Sequence, residues 1–267
     1  MHRFARLIGA LLFCLSASAH AQPGFEPPAR AYLIEADGKT LRERNADQPL
    51  PPASLTKLMT ALLVQEHGGL DDIVTVSRQA AAETGSRLGL KPGEQFRVRD
   101  LLAAALIQSA NDACHALADW VGGDQAHFVA LMNQRAEQLG LRQTRFANAC
   151  GHDQAGHHAS ARDLARLAHQ ALQSPVIAQL VALPAHSIAS ADGRRQFQLT
   201  NKNALIGRYS GARGVKSGFT AQAGKCLIAA AQRDGHQVLL VLLNAANRWW
   251  DAADTLDRAF AELPPAS

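Results

Sequence analysis

Ser54 and Lys57 lie three residues apart and have side chains suited to nucleophilic catalysis. A serine hydroxyl attacks a carbonyl carbon efficiently only when a nearby base accepts its proton, and a buried, neutral lysine amine can be that base. Because residues three apart on a helix lie on roughly the same side, we expect the Lys57 amine beside the Ser54 hydroxyl. Taken alone, the pattern is more often a helix N-cap followed by a solvated lysine.

The sequence around this pair predicts the helix that positions it. Pro51 and Pro52 suit the approach to a helix but not its interior, and Gly68 follows His67 as a stop signal. Between them, large apolar residues recur with the period of one helix face. These residues are Leu55, Leu58, Met59, Leu62 and Leu63. We therefore expect Ser54 in the first turn of a helix whose apolar face is buried in the core.

Two further polar stretches interrupt segments that are otherwise suited to burial. Ser109 and Asn111 lie between two apolar helical runs, and Lys216-Ser217-Gly218 lies in a predicted strand. Each stretch alone has an ordinary explanation as a helix cap, a turn, an exposed strand face or a bulge. Their occurrence together, in this order after Ser54 and Lys57, indicates one catalytic site.

The three motifs resemble the S-x-x-K, S-x-N and K-[TS]-G signature of serine penicillin-binding proteins and their β-lactamase relatives. Longer strings are similar to those of the low-molecular-mass D-alanyl-D-alanine carboxypeptidases, the S11 peptidase family, and the similarity covers residues 30–262. The strings lie at 53–60, 109–113, 160–163 and 214–220. This resemblance implies an α+β fold of the β-lactamase/DD-peptidase type. It has an antiparallel sheet of about five strands covered by helices, with a helical subdomain.

The resemblance also implies a reaction. Ser54 would attack the carbonyl between the two terminal D-alanines of a peptidoglycan stem pentapeptide and form an acyl-enzyme, while Lys57 accepts its proton. Ser109 would relay a proton toward the leaving amine, and Asn111 would hold Lys57 and the substrate amide. Partial burial and a second cation, Lys216, would both lower the pKa of Lys57 and keep it neutral.

Four consecutive residues of the third motif are implied to bind the substrate. Lys216 and Ser217 would bind the terminal carboxylate, with Gly218 beside them. The backbone N–H groups of Ser54 and Phe219 would form the oxyanion hole. The family usually has threonine where this chain has Ser217, but the hydroxyl is kept, so we expect function to survive.

Several alternatives remain open beside the carboxypeptidase. Shorter family members include DD-endopeptidases that cut peptidoglycan crosslinks. A β-lactamase would also need a group that deacylates the drug adduct quickly, often a loop glutamate, and the sequence places none. We therefore expect β-lactams to act as covalent inhibitors that leave slowly. A non-catalytic wall-binding protein would not need all three motifs intact.

The loop at 148–152 departs from the family pattern. Asn148-Ala149-Cys150-Gly151-His152 stands where Asn-Pro-x-Gly-Leu is usual, which affects the expected packing of the loop but not the expected chemistry. His152, His157 and His158 cluster nearby, yet no H-E-x-x-H motif is present, and a histidine-rich loop is more often solvated than metal-bound. We expect neither a metal nor another cofactor.

Residues 1–21 have the features of a secretory signal peptide. A basic start is followed by an apolar run at 7–15 and a small-x-small cleavage pattern at 19–21. Its removal takes away two arginines and no acid, so the net charge falls from +4 to +2 and nucleic acid is not an expected partner. No other apolar run is long enough to span a bilayer. We expect a periplasmic enzyme cleaved near Ala21, without a stable membrane anchor.

Three cysteines remain after cleavage: Cys114, Cys150 and Cys226. Their spacing fits no zinc pattern, and their odd number leaves at least one unpaired. Export permits one disulfide, and the sequence does not select a pair. Buried free thiols are the default expectation.

The remaining pattern predicts a single domain. Residues 22–29 form a mobile lead-in, and a hairpin turns at Asp37-Gly38. A block of helices follows, and then strands at about 214–220, 226–231 and 238–243 and a last helix at about 249–260. The first hairpin is expected to join the late strands in one sheet. The chain ends before the C-terminal β domain of many relatives, so 30–262 is the expected peptidase domain.

Overall fold

A computed structural model describes residues 26–264 of the chain. Its strands are β1 (Ala29–Ala36), β2 (Lys39–Arg44), β3 (Ile73–Thr75), β4 (Gln95–Arg97), β5 (Ala185–Ala189), β6 (Gln196–Thr200), β7 (Ala212–Thr220), β8 (Gly224–Arg233) and β9 (His236–Ala245). Its helices are α1 (Lys57–His67), α2 (Arg78–Ala81), α3 (Val98–Ala103), α4 (Asn111–Gly122), α5 (Gln125–Gln138), α6 (Ala161–Leu172), α7 (Pro175–Ala182) and α8 (Arg248–Ala261). The predicted signal peptide lies outside the described residues.

The main sheet has five antiparallel strands in the order β2-β1-β9-β8-β7. The first hairpin turns at Asp37 and Gly38, both with positive φ, and β1 then pairs with β9. The prediction that the early hairpin joins the late strands is therefore confirmed. β7 is an edge strand of this sheet, and it contacts α7 and the turn that precedes α1.

The apolar run at 238–243 shows how the sheet is covered. Leu239, Val241 and Leu243 pack in the large core with α1, α4 and α6, whereas alternate residues of the same strand pack against α8. Successive side chains of a strand point to opposite faces, so an uninterrupted apolar strand needs cover on both. The sheet therefore lies between two helical layers, as expected from its sequence.

Two helix boundaries differ from the sequence prediction. Ser54 lies in a 3-10 turn, Ala53–Thr56, and the α-helix begins only at Lys57. The i, i+3 relation survives because a 3-10 helix has three residues per turn. Further along, α3 continues into a π-helical turn, Ala104–Gln108, before the break at Ser109. Ser109 does not cap the next helix, since Ala110 occupies that position.

The expectation of free thiols was wrong for two of the three cysteines. Cys114 on α4 and Cys150 in the following loop region form a disulfide across 36 residues of sequence, with their Cα atoms 6.0 Å apart. Cys226 is free and buried. The pairing depends on long-range packing, because the fold brings α4 against the loop at 148–153. Local sequence carries no signal for that approach.

The first strand and the last helix lie near the two ends of the described region. The first strand begins at Ala29, inside the end of the expected 22–29 lead-in, and Glu26 forms an ion pair with Arg44. The last helix, Arg248–Ala261, is one residue longer at each end than expected. Within residues 26–264, no helix combines the length and hydropathy needed to cross a bilayer.

Candidate active site

The 3-10 turn at the start of α1 presents Ser54 to the cleft. Ala53 just before it has a φ of 50°, a left-handed conformation that is uncommon for a residue with a Cβ atom. Ser54 is partly exposed, whereas Leu55, Thr56 and Lys57 after it are buried. The strained backbone at Ala53 therefore turns the Ser54 hydroxyl outward, at the start of a helix that is otherwise buried.

Lys57 is the cation at the centre of the site. Its side chain is fully buried, and its Nζ lies 3.1 Å from Ser54 Oγ, 2.7 Å from Asn111 Oδ1 and 2.6 Å from the Cys150 carbonyl oxygen. Burial lowers the pKa of Lys57 from 10.5 to about 7, although the charges of Glu83 and Asp112 act in the opposite direction. A sizeable fraction of the amine is therefore neutral near pH 7 and can accept a proton from Ser54.

Ser109 and Lys216 form a second hydroxyl–amine pair. Ser109 has a φ of 61°, and its Oγ accepts a hydrogen bond from Lys216 Nζ at 2.8 Å. Lys216 is also buried and donates to the Ser217 carbonyl at 2.9 Å. Burial, the Lys57 charge and the Arg248 charge hold the pKa of Lys216 well below its usual value. The two amines thus repel each other in a low-dielectric region.

The end of β7 lies directly against the turn that carries Ser54. A Cβ atom at Gly218 would lie 2.9 Å from both Ala53 Cβ and Ser54 N, so only glycine allows this approach. Ser217 is buried and its hydroxyl donates to the Lys202 carbonyl at 3.3 Å. The Phe219 side chain, by contrast, is 64% exposed, so only its backbone belongs to the cleft.

The structure therefore brings the three sequence motifs together. Ser54 and Lys57 meet Asn111 through the lysine amine, and Ser109 meets Lys216. Sequence reasoning nevertheless missed two contributors to the site.

The first missed contributor is the loop at 148–153. Its Cys150 carbonyl accepts from Lys57, and a Cβ at Gly151 would lie 2.0 Å from the Ala53 carbonyl oxygen. Asn148 Oδ1 accepts from the backbone N–H groups of residues 150, 151 and 152 and so shapes the loop. The departure from the family pattern at 148–152 marks this loop in the sequence, but the pattern predicts only a change in loop packing and not a contact with Lys57.

The second missed contributor is Arg248, the first residue of α8. It donates through Nη1 to the Gly218 carbonyl, while its Nε is buried without a hydrogen-bond partner among the described residues. Burial lowers the pKa of the guanidinium. Arg248 is thus a third cation near β7, after Lys57 and Lys216. No local pattern in the sequence distinguishes this arginine from the others.

The clustered histidines do not converge on one point. His157 is buried and bonds both Thr56 Oγ1, at 2.8 Å, and the Ala147 N–H, so it braces the Ser54 turn. Burial lowers its pKa to about 4, which leaves it neutral at pH 7. His152 Nε2 lies 2.9 Å from Glu83 Oε2. In the part of the chain that the structure describes, no three potential ligands are grouped for a metal ion.

The sequence is similar to those of proteins named as D-alanyl-D-alanine peptidases. A profile of the peptidase S11 family, the D-alanyl-D-alanine carboxypeptidases, matches residues 17–247. The D-alanyl-D-alanine carboxypeptidase DacF of Bacillus subtilis is 35% identical over 96% of this chain and 70% of its own length. A D-alanyl-D-alanine endopeptidase of Pseudomonas aeruginosa is 32% identical over 93% of this chain and 86% of its own length.

Solved structures share the fold. A D-alanyl-D-alanine carboxypeptidase from Mycobacterium tuberculosis matches with a TM-score of 0.85 at 30% identity, over 93% of this chain and 97% of that one. Penicillin-binding protein D2 from Listeria monocytogenes, in its ampicillin-bound form, matches with a TM-score of 0.78 at 32% identity, over 90% and 100%. The α+β fold and the sequence match define a serine-type DD-peptidase. The chain belongs to the D-alanyl-D-alanine carboxypeptidase family, peptidase S11, and it is a hydrolase.

Proposed function

We propose that this enzyme removes the terminal D-alanine from peptidoglycan stem pentapeptides through an acyl-enzyme on Ser54. The observation that carries the proposal is the 3.1 Å contact between Ser54 Oγ and the buried Lys57 Nζ. A nucleophile within hydrogen-bond reach of a base with a pKa near the working pH is the arrangement that acyl transfer requires.

Acylation begins when neutral Lys57 takes the Ser54 proton and the serine oxygen attacks the peptide carbonyl. Asn111 Oδ1 orients the lysine amine toward the serine. Ser109 then passes its proton to the leaving D-alanine amine and takes a proton from the Lys216 ammonium that donates to its Oγ, while Lys57 keeps the proton of Ser54. A water molecule finally releases the shortened peptide by the same route in reverse.

The cations beside β7 explain why a carboxylate should end the substrate. Lys216 lies on this strand, and Arg248 lies behind it. Among the described residues, neither cation forms an ion pair with a carboxylate. A substrate carboxylate would offset their mutual repulsion, with the Ser217 hydroxyl as a further donor. The backbone N–H groups of Ser54 and Phe219 would bind the carbonyl oxygen as it becomes negative.

β-Lactam antibiotics would be covalent inhibitors, because their strained amide offers the same acylation step to Ser54. The ampicillin-bound relative of similar fold supports this expectation for the present chain. The adduct should persist, since the proposed site holds no additional base dedicated to its hydrolysis.

A direct assay is incubation of the purified enzyme with a stem pentapeptide ending in D-alanyl-D-alanine. We expect stoichiometric release of free D-alanine by the wild type and none by Ser54→Ala, whose buried surroundings are unchanged. Absence of D-alanine release from the folded wild type would refute the carboxypeptidase proposal.

An endopeptidase activity is the second candidate, because the Pseudomonas aeruginosa relative bears that name and is matched over most of both chains. The same assay on crosslinked muropeptide dimers distinguishes the two. Conversion of dimers to monomers without release of terminal D-alanine would favour the endopeptidase.

We also infer that the enzyme works in the periplasm after export by residues 1–21 and cleavage near Ala21. The signal-like sequence and the disulfide between Cys114 and Cys150 both support an oxidising compartment. N-terminal sequencing of the periplasmic fraction should begin near residue 22. Retention of the full chain in the cytoplasm would contradict this assignment.

A further inference from the structure

The disulfide lies immediately behind the catalytic lysine. Cys114 is one turn after Asn111 on α4, and Cys150 is in the loop that passes under the Ser54 turn. Asn111 supplies one hydrogen-bond acceptor for Lys57 Nζ, and the Cys150 carbonyl supplies another. The bond therefore joins the two segments that provide two of the three acceptors around this amine.

Besides the disulfide, Glu83 links the loop to α4 without a covalent bond, since it lies 2.6 Å from His115 Nδ1 on α4 and 2.9 Å from His152 Nε2 in the loop. Ala149 and Cys150 bond to α1 through the Thr60 hydroxyl and Lys57, and Asp153 accepts from Thr220 at the end of β7. These contacts hold the loop to the other walls of the cleft. The disulfide is the covalent contact that fixes its distance from Asn111.

We propose that the Cys114–Cys150 disulfide is a positioning element of the catalytic centre, and that its reduction by a dithiol slows acylation of Ser54. The reduction transfers two electrons. Because Cys114 and Cys150 are both buried, the reductant reaches them only when the loop opens. A dithiol thiolate then attacks one sulfur to give a mixed disulfide, its second thiol closes to a cyclic disulfide, and the protein keeps two thiols. This inference rests on the proposed acyl-enzyme function and adds redox sensitivity to it.

The charges around Lys57 decide how the loss of the disulfide would appear in the pH dependence. Burial is the largest influence on the pKa of Lys57 and lowers it, whereas the charges of Glu83 and Asp112 raise it. The neighbouring amine is Lys216 on β7, whose own pKa is held well below its usual value. A loosened loop admits water beside the amine, so burial weakens and the pKa rises toward its usual value. A purely stabilising disulfide acts mainly on the unfolded chain and leaves this pKa unchanged.

The test measures the second-order rate constant for labelling of Ser54 by a fluorescent penicillin from pH 5 to 9. It compares the oxidised wild type, the wild type reduced with dithiothreitol, and Cys114→Ala/Cys150→Ala. Cys226→Ala is the matched control, because it removes a buried cysteine that forms no disulfide. We expect the double variant and the reduced wild type to react roughly tenfold more slowly, with the midpoint of the pH profile moved upward. The control should match the wild type, and dithiothreitol should not affect the double variant.

Circular dichroism and thermal unfolding show whether each variant is folded at the assay temperature. Cys114→Ala/Cys150→Val, which restores part of the lost volume, serves if the first pair unfolds. A folded double variant with the wild-type rate and midpoint would overturn the proposal. Unfolding of every form without the disulfide would also overturn it, since the bond would then be only structural. Failure of the oxidised wild type to label at Ser54 would instead refute the proposed function.

Discussion

Lys57 shows how burial can convert an ordinary residue into a base. Its amine has hydrogen bonds to Ser54, Asn111 and the Cys150 carbonyl, but no carboxylate within residues 26–264 contacts it. Taking an ammonium out of water without an ion-pair partner favours the neutral amine. The carboxylates of Glu83 and Asp112 act only at a distance and partly oppose this effect.

The first prediction concerns the pH dependence of acylation. Protonated Lys57 cannot accept the Ser54 proton, so the rate of penicillin labelling should rise with pH and reach half of its plateau near pH 7. Stopped labelling reactions between pH 5 and 9 give this profile. Lys57→Arg, which stays charged throughout, should lose a factor on the order of 10²–10⁴. A rate that is independent of pH over this range would contradict the assignment of Lys57.

Lys216→Gln should move the same midpoint to higher pH. The Lys57 charge lowers the pKa of Lys216, and an interaction between two titrating amines acts on both. Removing the Lys216 amine should therefore make protonation of Lys57 easier and raise its pKa. Glutamine keeps a donor for Ser109, so the local hydrogen bond has a replacement. An unchanged or lower midpoint in the folded variant would show that repulsion between the two lysines does not lower the pKa of Lys57.

At this scale the sequence predicted the residues that form motifs and missed those that do not. S-x-x-K, S-x-N and K-S-G are side-chain patterns, so Ser54, Lys57 and Asn111 were found. The acceptor that Cys150 provides for Lys57 is its backbone carbonyl, a group that every residue type has. Arg248 reaches the Gly218 carbonyl only because α8 packs beside β8 and β9, a contact that no short stretch encodes.

The elements of the site meet at backbone positions where little space remains. The Ser54 turn, the end of β7 and the loop at 148–153 approach one another at Gly218 and Gly151, which lack the Cβ atom that would clash. Sequence reasoning anticipated the helices and strands from their apolar periodicity. It missed the 3-10 and π-helical turns, because these depend on tertiary packing around the catalytic groups and not on local preference.

Gly151→Ala should therefore be severely destabilising. The new Cβ would lie 2.0 Å from the Ala53 carbonyl oxygen, and the residue has a φ of 89°. We expect a loss of about 3 kcal/mol or more in unfolding free energy, together with reduced labelling of Ser54. Gly156→Ala is the matched control, since it has a φ of 79° in the same loop region and open space around it. Urea unfolding of the control should show a loss of only about 1 kcal/mol, and equal losses would contradict the clash.

Asp112 links α4 to the segment before it. Its carboxylate is fully buried and accepts from the backbone N–H groups of Leu88, Gly89 and Leu90. Asp112→Asn should cost about 2 kcal/mol in urea unfolding, because an amide NH₂ replaces one acceptor oxygen. It should also lower the pH midpoint of labelling, since the Asp112 charge raises the pKa of Lys57 and its removal lets that pKa fall. Asp124→Asn, at an exposed N-cap where asparagine serves equally well, should change neither quantity.

The whole molecule is a five-stranded sheet between two helical layers, with the cleft where β7 meets the helical part. The pairing of the early hairpin with the late strands followed from the sequence pattern. The disulfide did not, since 36 residues separate its cysteines and only the folded chain brings them together. The contacts that complete the site thus depend on the folded chain and not on residue type alone.

The central claim is that Ser54 is the nucleophile of this site. The most direct measurement is intact-protein mass spectrometry after incubation with a penicillin, followed by peptide mapping of the adduct. We predict one equivalent of the opened penicillin on Ser54 in the wild type and no adduct in folded Ser54→Ala. An adduct on another residue, or equal labelling of the two proteins, would contradict the account.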